Sequence, residues 1–150
     1  LHIVSANKEI NHPRNRIYLK SFLAALNEKV RLKSELYPDL AEQMPATLPR
    51  TFAEFDDIFT GPLHGFKNAD DYWNSTSSKQ FLPNIRVPTL IVNARDDSFL
   101  SEECYPYREA EQNSFLHLET PKYGGHVGFA GWSKTYWSEQ RAWNFMQPFL

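Results

Sequence analysis

The chain has 150 residues, of which 41% are hydrophobic and 15% aromatic, and its formal net charge at pH 7 is −2. This composition predicts a soluble globular protein with a packed core, and the near-neutral charge argues against a nucleic-acid partner. No apolar run approaches the roughly 18 residues of a membrane span, and the first residues show no leader pattern, so we expect a cytoplasmic protein. The single cysteine, Cys104, excludes an internal disulfide.

The amino-terminal part is predicted to be mainly helical. Residues 1–6 alternate weakly, as in a strand or a loop, and the absence of an initiating Met at Leu1 suggests a piece of a longer chain. Helical spacing then predicts a helix over about 13–36, which ends before Pro38 because the residue preceding a proline avoids helical geometry. The apolar positions of this helix are Ile17, Phe22, Leu23, Leu26 and Val30.

Several short helices are predicted to follow a stiff, proline-rich connection over residues 38–50. Thr51 and Glu54 have the spacing of a capping box, which predicts a short helix that stops at Gly61-Pro62. Two more helices are predicted, over about 68–75 and 77–82.

Aromatic side chains are concentrated on these short helices and on the loop between them. They indicate either an apolar pocket for a substrate or ordinary core packing, and the sequence leaves both interpretations open. The candidate substrate-binding residues are Phe59, His64, Phe66, Tyr72 and Trp73.

Strands and helices alternate in the carboxyl-terminal part. Residues 88–94 are nearly all apolar, the pattern of a strand buried on both faces of a parallel sheet. A helix over 101–111, kinked or restarted at Pro106, leads to a strand over 115–119, and this crossover predicts parallel pairing. A terminal helix is predicted over 134–147. Its candidate buried residues are Trp137, Trp143, Phe145 and Met146.

Two strands are too few for a stable parallel sheet. A parallel pair needs neighbouring strands and cover on both faces. We therefore expect the missing strands in sequence outside this chain or in another molecule. The open strand edges also predict self-association.

An acid and a base are predicted to meet at one edge of this sheet. Asp96 and Asp97 follow the first strand, and His126 lies in a glycine-rich loop after the second. Parallel strands share a carboxyl end, so a carboxylate and an imidazole from these loops can approach each other. The carboxylate would orient the imidazole, leaving Nε2 to take a proton from a nucleophile. The alternative is a solvated aspartate and an ordinary loop histidine.

Several short motifs occur in a characteristic order between residue 12 and the end of the chain. They are Pro13-Arg14-Asn15-Arg16-Ile17-Tyr18, Glu54-Phe55-Asp56, Phe59-Thr60, His64-Gly65-Phe66, Asp70-Asp71-Tyr72-Trp73, Pro88-Thr89-Leu90-Ile91, Asn93-Ala94-Arg95-Asp96-Asp97 and Gly124-Gly125-His126-Val127-Gly128-Phe129. Together they resemble the α/β-hydrolase fold superfamily, and within it the YheT-like, esterase-like branch. The resemblance implies that Asp97 is the acid and His126 the base of a Ser-His-Asp triad, with an ester substrate and neither a metal nor another cofactor.

The resemblance also implies a helical cap over residues 1–66 and the carboxyl-terminal part of an α/β core over 67–150. One departure is large, because the family's nucleophile is a serine in a Gly-x-Ser-x-Gly-like elbow, and no serine of this chain has that setting. We therefore expect a partial serine hydrolase that is inactive alone. The alternative is a non-catalytic binding module derived from the hydrolase fold.

Overall fold

The computed structural model describes residues 2–130 and 135–150. The chain divides into an amino-terminal unit, His2–Ser77, and a carboxyl-terminal unit, Ser78–Leu150. The predicted boundary between cap and core, after residue 66, is drawn by function and not by compactness. It stays a prediction. In the part of the chain that the structure describes, no helix combines the length and the apolar character needed to cross a membrane.

Helices build the amino-terminal unit. They are α1 Ile3–Ile10, α2 Arg16–Ser34, α3 Pro38–Glu42, α4 Phe52–Phe55, α5 Gly61–Leu63 and α6 Ala69–Thr76, with a 3₁₀ turn at Pro13–Asn15 and a π turn at Asp56–Thr60.

Helix α1 corrects the expectation of a strand or a loop at residues 1–6. Ile3, Ala6 and Ile10 recur at helical spacing, a pattern that extends beyond the six residues considered. The N–H of Ile3 donates to Ser77 Oγ at 3.0 Å, which ties the start of α1 to the end of α6.

Helix α2 confirms the predicted helix over 13–36 and supplies the core of this unit. Leu23, Phe55 and Phe59 are buried at its centre. Ile17, predicted to face the core, is instead 82% exposed. Leu19 packs against the core instead. It lies two residues after Ile17, which is a rotation of about 200° around the helix axis and therefore the opposite face. Half-buried apolar residues surround this core, namely Leu19, Leu26, Val30, Leu40, Met44, Phe52 and Ile58.

The helical path from α4 to α5 contradicts the predicted stop at Gly61-Pro62. A π turn intervenes, and Pro62 then lies in the first turn of α5, where its missing N–H costs nothing. The π turn directs two carboxylates at α6: Asp56 Oδ2 accepts from Trp73 Nε1 at 2.7 Å, and Asp57 Oδ1 accepts from the N–H of Ala69 at 2.6 Å. Helix α6 itself confirms the prediction for 68–75.

A two-stranded parallel sheet forms the centre of the carboxyl-terminal unit. Its elements are a 3₁₀ helix Ser78–Asn84, β1 Thr89–Val92, a 3₁₀ turn Glu102–Cys104, α7 Tyr107–Gln112, β2 Leu116–Glu119, α8 Trp137–Met146 and a 3₁₀ turn Gln147–Phe149. The register runs from Thr89 opposite Leu116 to Val92 opposite Glu119, which confirms the parallel crossover. The predicted helix over 101–111 is broken, because Pro106 separates the 3₁₀ turn from α7.

Burial in this unit differs from the prediction in two places. All four residues of β1 are only half-buried, because β2 is its one partner strand among the described residues. Helix α8 has no buried residue, and Trp137, Trp143 and Met146 are exposed. It contacts β2 through Phe145, whose ring lies 5.1 Å from that of His117, and through Arg141, whose Nε donates to the Glu119 carboxylate at 2.8 Å. Residue 134, the predicted start of this helix, lies outside the described residues.

Asn113 links the 3₁₀ helix at Ser78–Asn84 to the start of β2. Its buried amide nitrogen donates to the carbonyls of Leu82 at 3.0 Å and Ile85 at 3.1 Å. Its side-chain oxygen accepts from the N–H of Phe115 at 3.1 Å. One side chain thus satisfies three backbone groups at a position where water has little access.

Replacing Asn113 with alanine is expected to lower the free energy of unfolding by about 2–3 kcal/mol, because buried backbone groups lose their partners. Urea titration monitored by circular dichroism measures this change. The matched control is Gln112→Ala, which removes an exposed amide next to it and is expected to change stability by less than about 0.5 kcal/mol. Equal stability of the two variants would contradict the assigned role.

Candidate active site

The loops after β1 and β2 leave the sheet at the same edge and stay together beyond it. The N–H of Asn93 donates to Glu119 O at 3.1 Å, and the N–H of Arg95 donates to Pro121 O at 2.8 Å. These bonds extend the parallel ladder past the strand ends. The acid-bearing turn and the histidine loop therefore begin side by side.

Asp97 is a buried carboxylate whose two oxygens have different partners. Its side chain is 1% exposed. Oδ1 accepts from the N–H of Phe99 at 2.9 Å, and Oδ2 lies 2.8 Å from His126 Nδ1. The first bond fixes the carboxylate on its own turn, so that the second oxygen faces the imidazole. Since a carboxylate accepts hydrogen bonds, we assign the proton of the neutral ring to Nδ1.

His126 is held in place by a contact at Nδ1, and its side chain is half exposed. Its side chain is 52% exposed, and its ring packs on that of Phe99 with centroids 5.0 Å apart. Within the described part of the chain, Nε2 makes no hydrogen bond. A neutral imidazole in this state presents a lone pair on Nε2 to solvent, the arrangement that a general base requires.

The histidine loop has two positive φ angles and a close approach to the acid turn. Gly125 has φ +59° and Phe129 has φ +41°, and the N–H of Phe129 closes the turn by donating to Gly124 O at 2.9 Å. A Cβ at Gly124 would lie 2.5 Å from the ring of Phe129 and 2.9 Å from Ala94 Cβ. Glycine is required at 124 because no side chain fits between the two loops.

Tyr105 stabilises the turn that carries Asp97 through a hydrogen bond to its backbone. Its hydroxyl donates to Ala94 O at 2.6 Å. Burial, assisted by the nearby Asp97 carboxylate, raises the pKa of Tyr105 to about 12. The hydroxyl thus keeps its proton, and with it this hydrogen bond, beyond the pH at which an ordinary tyrosine ionises.

The predicted substrate-binding residues lie in the amino-terminal unit, apart in sequence from the acid and base. Phe59 and Trp73 are buried there, at 6% and 4% exposure. Phe66 and Tyr72 are half-buried neighbours with ring centroids 5.3 Å apart, and His64 is exposed just after α5. A substrate-binding role for any of the five stays a prediction.

Sequence reasoning missed two residues that shape the site, Phe99 and Tyr105. Phe99 holds the Asp97 carboxylate through its N–H and packs on the histidine ring. Tyr105 acts eleven residues after its acceptor, Ala94. The only sequence signal for Phe99 is its place two residues after an aspartate, the spacing of an Asx turn.

Other chemistries find little support in the described residues. No group of three or more His, Cys, Asp or Glu side chains among them is arranged to hold a metal ion. Cys104 is buried, with Sγ 3.7 Å from Ser101 Oγ, which is the setting of a structural rather than a nucleophilic cysteine.

A parallel strand–helix–strand unit with an Asp–His pair at its carboxyl edge is the arrangement of an α/β protein of the hydrolase class. Three relatives agree. The chain is 31% identical to the "Putative esterase YheT" of Escherichia coli K12, over 91% of this chain and 41% of that protein. It is 28% identical to an abhydrolase domain-containing protein of Dictyostelium discoideum, over 100% of this chain and 39% of that protein. It is 27% identical to the phospholipase ABHD3 of Mus musculus, over 83% of this chain and 31% of that protein.

The chain therefore belongs to the α/β-hydrolase superfamily, and it is similar to the YheT-like branch. It spans between 31% and 41% of the length of these relatives. No protein-family model and no solved structure gives a significant match.

The raised pKa of Tyr105 predicts a specific dependence of stability on pH. A folded-state pKa of about 12, above the unfolded value of about 10, means that the folded chain holds this proton more tightly. The resulting stability is complete below pH 10 and is lost as pH rises from about 10 to 12. Urea unfolding of wild type and Tyr105→Phe across this range should show a steeper decline for wild type.

The matched control is Tyr107→Phe. The ring of Tyr107 stacks on that of Tyr105 with centroids 5.8 Å apart, and the residue is 39% exposed. This variant should retain most of the wild-type decline, because Tyr107 contributes less to the raised pKa of Tyr105 than burial and Asp97 do. Parallel curves for wild type and Tyr105→Phe would contradict the assignment.

Proposed function

We propose that this chain supplies the acid and the base of a Ser-His-Asp hydrolase that acts on carboxylic esters. The observation that carries the proposal is the 2.8 Å contact between Asp97 Oδ2 and His126 Nδ1, combined with a His126 side chain that is half exposed. The substrate class is supported by relatives whose names describe an esterase and a phospholipase.

In the proposed mechanism, His126 Nε2 removes the proton of a serine hydroxyl as its oxygen attacks the ester carbonyl. The imidazolium that forms is stabilised by the buried Asp97 carboxylate, which accepts a hydrogen bond from Nδ1–H throughout. The tetrahedral intermediate then expels the alcohol, which takes the proton from Nε2, and an acyl-serine remains. Water, deprotonated by the same nitrogen, attacks the acyl group, and the serine oxygen leaves with the proton returned by Nε2, which releases the acid and the free serine.

The nucleophile is proposed to come from residues outside these 150. None of the chain's serines has the glycines of a nucleophile elbow around it. The elbow also contributes to the oxyanion hole, so its absence removes two catalytic elements together. We propose that the helical part of the chain acts as the cap over the completed site.

Among the five candidate substrate residues, exposure distinguishes two groups. Phe59 and Trp73 are buried and pack within their own unit, whereas Phe66 and Tyr72 present half-exposed rings. We propose that the latter pair, with the exposed His64, offers the apolar surface for an acyl group.

A non-catalytic binding module is the second candidate. The missing elbow favours it, since a fold that has lost its nucleophile keeps its surfaces for a ligand or partner. The DNA upstream of Leu1 discriminates the two candidates. An open reading frame that encodes the elbow supports the hydrolase, and a start codon immediately before Leu1 supports the module.

The isolated chain is expected to have no triad-dependent esterase activity. Turnover of a short p-nitrophenyl ester should be the same for wild type and His126→Ala, because there is no activated serine to acylate. A fluorophosphonate probe should not label the chain. His117→Ala is the matched control for hydrolysis by an accessible imidazole, since His117 is an exposed histidine on β2.

In a chain extended to include the elbow serine, Asp97→Asn and His126→Ala should each reduce kcat/KM by about 10³-fold or more. Turnover and probe labelling by the 150-residue chain that disappear in His126→Ala would contradict an external nucleophile. Full activity of the extended Asp97→Asn variant would overturn the triad itself.

We also propose that the chain associates with itself through the sheet. Among the described residues, β1 and β2 pair only with each other, so the outer edge of each strand has no strand partner. Unpaired edges are templates for further strands. Multi-angle light scattering should show a molar mass that rises with concentration, and a strictly monomeric species at high concentration would contradict this proposal.

A further inference from the structure

We propose that Asp96 is a positioning residue for His126, and that its carboxylate holds the histidine loop by accepting the backbone N–H of Gly125. The resemblance to the hydrolase family assigns Asp97 alone to the chemistry and leaves its neighbour without a role. The inference rests on the proposed function, because the orientation of His126 matters only if this side chain is the base.

Two consecutive aspartates bind two consecutive residues of the opposite loop. The N–H of Gly125 donates to Asp96 Oδ1 at 2.8 Å, and His126 Nδ1 lies 2.8 Å from Asp97 Oδ2. The first bond fixes the backbone immediately before the histidine, and the second fixes its ring. A single bond to the ring would leave the loop free to turn about it, whereas two anchors define both position and direction.

Packing alone does not hold this loop in place. The His126 side chain is 52% exposed, and Val127, which follows it, is 76% exposed. The close approach of Gly124 to Ala94 and the stacking of Phe129 on Trp137, with ring centroids 5.4 Å apart, hold the two ends of the loop, whereas His126 and Val127 lie between these contacts. The bond from Gly125 to Asp96 is the interaction that connects this part of the loop to the acid-bearing loop through the main chain.

The required property of Asp96 is its acceptor oxygen rather than its charge. Its side chain is exposed, so its hydrogen bond contributes little to global stability and acts locally. An asparagine at this position retains the acceptor oxygen, and an alanine does not. The pair Asp96→Asn and Asp96→Ala therefore separates positioning from electrostatics.

The experiment measures the tautomer of His126 in the intact 150-residue chain by two-bond ¹H–¹⁵N NMR correlation at a pH where the ring is neutral. Wild type should be dominated by the tautomer protonated at Nδ1, and Asp97→Ala should lose that preference. Asp96→Ala is expected to reduce the ratio of Nδ1–H to Nε2–H tautomers by roughly fivefold, because the ring leaves its partner more often. Asp96→Asn should restore the ratio to within about twofold of wild type.

The matched control is Asp71→Ala, in which a carboxylate that accepts the N–H of Lys67 at 3.0 Å is removed from the amino-terminal unit. It should leave the His126 signals unchanged. Thermal unfolding followed by circular dichroism verifies that all variants are folded at the temperature of measurement.

The outcomes separate this inference from the proposed function. A wild-type tautomer ratio in Asp96→Ala overturns the positioning role, and so does an equal disturbance by Asp96→Asn, which would indicate a charge effect. If wild type itself shows no Nδ1–H preference, or Asp97→Ala does not change it, the Asp–His pair fails and the proposed function fails with it.

Discussion

The parallel pairing of β1 with β2 is the constraint on which the candidate site depends. Because the strands run in the same direction, the loops that follow them leave at one edge, and the hydrogen bonds of Asn93 and Arg95 keep these loops together. An antiparallel pair would place the two loops at opposite ends of the sheet. The 2.8 Å contact between Asp97 and His126 is therefore a consequence of topology before it is a consequence of side-chain chemistry.

Elements with a local chemical signal could be predicted from the sequence. Thr51 caps its helix by accepting from the N–H of Glu54 at 3.2 Å, and Pro106 breaks the segment after Ser101. Elements decided by long-range packing could not. The exposure of Ile17 and of the tryptophans on α8 depends on which face meets another element, and helical periodicity does not specify that.

The site shows the same division. The sequence places Asp97 and His126 after consecutive strands, and the resemblance to a hydrolase family assigns their roles. The contributions of Phe99 and Tyr105 depend on a ring contact and on a hydrogen bond to a carbonyl, neither of which leaves a pattern in the chain. Trp73 is buried and its indole N–H donates to Asp56, a packing contact that the sequence does not reveal; its substrate-binding role stays a prediction.

The π turn at Asp56–Thr60 makes the amino-terminal unit sensitive to chain length at one point. A π turn contains one residue more than the α-helical turn that spans the same rise. Deleting a single residue there would rotate the helix before it by about 100° relative to α5. Phe55 would then leave its place beside Leu23, so this segment tolerates substitution far better than a one-residue gap.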